Sequence, residues 1–133
     1  SIRALGVAKL HEIARRALRE GKMERAKSAL VRACRLQPSS ADIHYELASA
    51  YFRSGDMIRA RKQYERVLEI DPEHGPAVIN LGALHHREGS HREALRCLRA
   101  GIKLEPRRAE GFYNLGLVYR QLERPDLAVK AYR

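Results

Sequence analysis

Residues 41–74 read ADIHYELASAYFRSGDMIRARKQYERVLEIDPEH. From about Asp42 to Arg53, Tyr45, Leu47, Ala48 and Tyr51 fall on or near one side of a helix, which predicts an amphipathic segment. Gly55 follows, a residue that adopts left-handed backbone without a Cβ penalty and so ends helices. A second helix is expected from about Met57 to Ile70, with Ala60, Tyr64, Val67 and Leu68 at three- and four-residue spacing. Pro72 stops it, because a proline disfavours helical geometry at the preceding residue, here Asp71. Two helices, one turn and one stop fill the stretch.

The same punctuation recurs along the chain. Pro38, Pro72 and Pro106 are 34 residues apart, as are Gly21, Gly55 and Gly89, and Ala26, Ala60, Ala94 and Ala128. Three residue classes in one register divide the chain into units 7–40, 41–74, 75–108 and a partial 109–133. The small residues have a packing reason: Ala48, Gly82 and Gly116 on first helices, and the alanines on second helices, let two helices approach closely. One such hairpin cannot bury both its faces, so neighbours must stack into a solenoid. The expected fold is all-α, with seven full helices, a short eighth and no strands.

The fourth unit reads Phe112-x-x-Leu115-Gly116-x-x-Tyr119, then Ala128-x-x-x-Tyr132. The second gives Leu47-Ala48-x-x-Tyr51, Ala60-x-x-x-Tyr64 and Pro72; the third Leu81-Gly82-x-x-His85, Ala94-x-x-x-Leu98 and Pro106. The first diverges most, with Ile13-Ala14-x-x-Ala17, Ala26-x-x-x-Leu30 and Pro38. This pattern resembles the tetratricopeptide repeat signature over residues 7–133. The resemblance implies a right-handed superhelix of antiparallel helix pairs, about 3.75 repeats in one domain over 1–133, and a binding role. Two departures stand out. Glu123 takes the place of the turn glycine, so Pro125 and its constraint on Arg124 are expected to end that helix. The array stops at Arg133 inside a helix without a polar cap, and the chain starts at Ser1, so we read it as a segment of a longer protein. Leu127 and Tyr132 are then expected to be uncovered, favouring self-association through that end.

Composition narrows the chemistry. At 133 residues, with 44% hydrophobic and 32% charged residues, the chain suits a folded domain. Its longest uncharged stretch, Gly75 to His86, is too short and polar to span a bilayer. Cys34 and Cys97 sit two repeats apart, too far for a disulfide, and free thiols favour a reducing, cytoplasmic compartment. Cys34 is expected on the packed side of its helix and Cys97 on the outer side, neither with a histidine one turn away to activate it. His85, His86 and His91 are the nearest thing to a metal cluster. His85 replaces the tyrosine at Tyr51 and Tyr119, and no carboxylate or cysteine completes a ligand set. No catalytic residue, metal site or cofactor is expected. The net charge of +10 lies mainly in units one (+6) and three (+4), whereas all eight aromatics lie in units two and four. That segregation disfavours the interleaved stacking platforms of single-stranded nucleic-acid binders.

In the family, first helices line the concave face. Carried over, the resemblance implies a groove of His11, Arg15, Leu18, Arg19, Tyr45, Glu46, Ser49, Phe52 and Arg53. It continues with Ile79, Asn80, Ala83, His86, Arg87, Tyr113, Asn114, Leu117, Arg120 and Gln121. Arg19, Arg53 and Arg87 share one register, as do Asn80 and Asn114 in matching Asn-Leu-Gly triplets. Asparagine ladders of this kind resemble those of O-linked N-acetylglucosamine transferases, but Glu12 and Glu46 fill the place in units one and two. The lysine–asparagine–arginine clamp of chaperone-binding members fits no register. The reading is a protein-binding scaffold for an extended, acidic segment. The alternatives are a basic nucleic-acid binder, or the substrate-recruiting arm of a larger enzyme such as a glycosyltransferase.

Overall fold

The computed structural model describes residues 1–122 and 130–132. Among the described residues seven helices are bounded: α1 (Ile2–Arg19), α2 (Met23–Leu36), α3 (Ala41–Arg53), α4 (Met57–Ile70), α5 (Gly75–Arg87), α6 (His91–Leu104) and α7 (Ala109–Gln121). Residues 130–132 are also helical, and no strand occurs among the described residues. The expected bounds in the second repeat fall within one residue of α3 and α4. α1 begins ahead of the first repeat, capped by the Ser1 hydroxyl, which accepts from the Ala4 amide at 3.1 Å. The expectations placed on Glu123, Arg124, Pro125, Leu127, Ala128 and Arg133 lie outside the described residues.

The turn and stop signals act as their chemistry requires. Gly21, Gly55 and Gly89 hold φ of 74°, 84° and 81°, the left-handed region. The amide after each reaches back to the last helical turn: Lys22 to the Ala17 carbonyl at 2.8 Å, Asp56 to Tyr51 and Ser90 to His85, both at 2.9 Å. At the other ends, Gln37, Asp71 and Glu105, each preceding proline or its turn, unwind to φ of −139°, −137° and −132°. Ser1, Ser40, Asp56 and His74 cap their helices through side-chain bonds. The Asp56 carboxylate accepts from the Arg59 amide at 3.2 Å and from the Arg59 guanidinium at 2.7 Å. Those bonds hold its pKa below the ordinary aspartate value.

The chain forms two compact units, 1–71 and 72–133. In the first, hairpins α1–α2 and α3–α4 stack through α2 and α3. Val7, Leu10, Ala14, Leu30, Ala33, Ile43, Leu47 and Ala50 make their core. In the second, α5 and α6 form a hairpin against which α7 packs, around Ile79, Ala94, Leu98 and Val118. Each fully buried Leu, Ile or Val contributes roughly 1.5–3 kcal/mol. Close approach depends on the small residues: a Cβ on Gly82 would lie 2.8 Å from Leu98 Cγ, and one on Gly101 would lie 2.5 Å from Ile79 Cγ1. Ala26, Ala48, Ala60 and Ala94 are fully buried, as the register required.

Candidate functional site

In the first unit the candidate residues lie on α1 and α3. Arg15, Arg19 and Arg53 are exposed; Leu18, Tyr45, Glu46, Ser49 and Phe52 are half-buried. His11 and Glu46, placed separately in the groove by sequence, meet each other, the imidazole Nε2 lying against the Glu46 carboxylate. Tyr45, Ser49 and Phe52 recur at four and three residues along one side of α3. Two of them are set from behind by the buried Tyr64 of α4: its ring centroid lies 6.0 Å from that of Tyr45, and its hydroxyl lies 3.2 Å from Ser49 Oγ. A phenol locked in the core thus fixes the orientation of a surface hydroxyl and a surface aromatic.

In the second unit, Asn80 and Ala83 on α5 and Asn114 and Leu117 on α7 are half-buried, while Arg87, Arg120 and Gln121 are exposed. Tyr113 is 58% exposed, with its ring centroid 6.0 Å from that of Tyr132. Ile79 is a correction. It is completely buried, packed against the backbone at Gly101, and cannot touch a ligand. The family's contact positions sit on the ligand face only where the helix turns them there, and at Ile79 the missing Cβ of Gly101 draws the side chain into the hairpin.

The histidines and cysteines are arranged differently from their spacing alone. The Gly89 turn folds His91 back against His86, ring centroids 5.9 Å apart, and burial followed by the charge of His91 lowers the His86 pKa. Among the described residues no group of three or more His, Cys, Asp or Glu is placed to hold a metal. Cys97, expected on the outer side, is half-buried: a Cβ on Gly82 would lie 3.2 Å from its own Cβ. Position 97 is one turn after the buried Ala94, which sets it against α5. Burial raises its pKa.

His44 is the residue that sequence reasoning missed. It is buried, and its Nε2 lies 2.8 Å from the Pro38 carbonyl, to which it must donate. Its Nδ1 lies 2.7 Å from the Gln63 side-chain oxygen and 3.7 Å from Cys34 Sγ. Cys34 thus has a histidine partner from the next repeat, beyond the reach of a one-turn search. Burial, with the Glu46 charge second, pushes its thiol up to about 11. At neutral pH it is a protonated, weak donor and not a nucleophile. The constellation ties the α2–α3 turn to α4.

No helix among the described residues is long and apolar enough to cross a membrane. A sequence profile described as tetratricopeptide repeat matches residues 11–75 and 79–133. No curated protein sequence matches the chain. Among solved structures, a segment of MamA from Desulfovibrio magneticus RS-1 is similar at 28% identity and TM-score 0.85, over 95% of this chain and 71% of that one. Pseudomonas aeruginosa PilF is similar at 28% and 0.84, over 98% of this chain and 60% of its own length. The first repeat domain of Spaghetti (RPAP3), bound to the HSP90 peptide SRMEEVD, shares the fold at 20% and 0.84, over 90% and 94%.

Proposed function

The chain belongs to the tetratricopeptide repeat family, and on that premise we propose that it is a protein-interaction scaffold whose first helices receive an extended acidic segment. In this reading residues 1–133 are one domain of three repeats, 7–40, 41–74 and 75–108, and a partial fourth, 109–133. The observation that carries it is the pairing of Asn80 with Asn114, half-buried at one repeat position on α5 and α7 of a single unit. A side-chain amide offers a donor and an acceptor together, which suits an extended backbone. Tyr113 offers apolar contact on the same unit, and in the first unit Tyr45 and Phe52 do likewise, where Ser49, held by Tyr64, adds a hydroxyl. The exposed Arg15, Arg19, Arg53, Arg87 and Arg120 favour a negatively charged segment. The peptide in the Spaghetti complex is itself acidic, SRMEEVD.

Kinetics test the assignment, with a synthetic peptide alternating glutamate and valine as the probe. Rim charge governs association and salt sensitivity, whereas backbone contacts govern release. Arg19→Ala/Arg53→Ala/Arg87→Ala should therefore bind slowly and release normally. Asn80→Ala/Asn114→Ala should associate normally and release faster, at roughly 1–3 kcal/mol per lost buried hydrogen bond. Unchanged kinetics in both variants would remove the groove from this account.

A weaker association belongs to the same reading. Tyr132 is 45% exposed beside Tyr113, in a cleft also lined by Phe112, Lys130 and Ala131. A second copy of the chain is the proposed occupant. Sedimentation equilibrium should show a dimer that Tyr132→Asp abolishes; a monomer at all concentrations would exclude it.

A further inference from the structure

The outward side of α6 carries Arg92, Arg96, Arg99 and Lys103, which line one open depression together with Ala100. Steps of four, three and four residues keep all four within a narrow arc of the helix over about 16 Å. All four are exposed. Among the described residues Arg92, Arg96 and Lys103 make no ion pair, and Arg99 donates to the Tyr119 hydroxyl at 2.9 Å. The single carboxylate of α6, Glu93, lies off the stripe, around the helix from Arg92.

This stripe is not a by-product of the repeat. One period earlier the same positions are Ile58, Lys62, Glu65 and Glu69, and one period before that they are Glu24, Ser28, Val31 and Arg35. There each carboxylate is paired locally: Arg61 faces Glu65, Arg66 bonds Glu69, and Lys27 bonds Glu24. On α6 Arg92, Arg96 and Lys103 have no such partner among the described residues.

We propose that the α6 stripe docks the phosphate backbone of a nucleic-acid duplex. The absence of any large apolar side chain from the lining chooses this partner over others. A protein interface needs a desolvated core, but only Ala100 lies among the cations. An interfacial membrane helix inserts its apolar face, whereas that of α6 is spent on the core through Ala94, Leu98 and Gly101. Backbone neutralisation by Lys and Arg needs no apolar contact, because counterion release supplies the affinity. No aromatic ring lies in the stripe for base stacking, so the contact reads phosphate spacing and not sequence.

The test is a salt titration of the whole chain with arbitrary-sequence DNA and RNA duplexes, read by fluorescence anisotropy. Four phosphate contacts give a log–log slope of about −3.6 on DNA, or about a hundredfold loss of affinity between 50 and 200 mM salt. Arg92→Gln/Arg96→Gln/Lys103→Gln should flatten that slope by about 2.7. Arg92→Lys/Arg96→Lys, which keeps the charge, should leave it nearly unchanged. Asn80→Ala/Asn114→Ala should leave it unchanged too. A slope retained by the glutamine variant would overturn the proposal, as would the absence of binding to both duplexes. Stripe-dependent binding of polyglutamate or anionic-lipid vesicles as tight as that of duplex would overturn it as well.

Discussion

Ala60→Arg lowers the unfolding free energy by several kcal/mol, whereas Lys62→Ala, two residues away on the same helix, changes it by no more than about 0.5 kcal/mol. Ala60 has no exposed surface, and its methyl fills the contact of α4 with α3. An arginine there must either force the hairpin apart or bury an unpaired guanidinium; both are costly. Lys62 is exposed and makes no ion pair among the described residues. Ala94 occupies the same repeat position and is equally buried, so Ala94→Arg should be as damaging in the second unit. Urea unfolding followed by circular dichroism measures all three. Equal midpoints for Ala60→Arg and Lys62→Ala would show that the repeat register is misplaced.

His44→Leu is the second large effect, at about 1–3 kcal/mol. Leucine fills much of the space but leaves the Pro38 carbonyl and the Gln63 amide without their ring partner. The cost is desolvation of polar groups, not lost volume, so it should be shared with Gln63. A double-mutant cycle between His44→Ala and Gln63→Ala should show a coupling above about 0.5 kcal/mol. A neutral or stabilising His44→Leu, or strict additivity in the cycle, would show that the network contributes nothing.

The scaffold was legible because its signals are local and repeated. Gly21, Gly55 and Gly89 end helices by a backbone conformation that depends on the residue alone, and the prolines act on their immediate neighbours. Periodic alanines then located the close contacts, and the structure buries each one it describes. What could not be read are contacts made between repeats by residues outside the shared pattern. His44 has no counterpart of the same type one period on, since Val78 stands there. Its bonds to Pro38 and Gln63 cross from one element to the next. The inward turn of Ile79 and the half-burial of Cys97 follow from Gly101 and Gly82 on the facing helices. The face a residue takes on its own helix is readable from spacing; what the opposite helix leaves open for it is not. The same limit hid the His11–Glu46 contact between two groove positions.

Backbone and side-chain amide shifts of the labelled chain, recorded as the glutamate–valine peptide is added, test the scaffold reading most directly. The account predicts that the side-chain amides of Asn80 and Asn114 move first, together with the backbone amides around Tyr45, Ser49 and Phe52, while α2, α4 and α6 stay still. Shifts confined to α2, α4 and α6, with both asparagines unmoved at saturation, would contradict it.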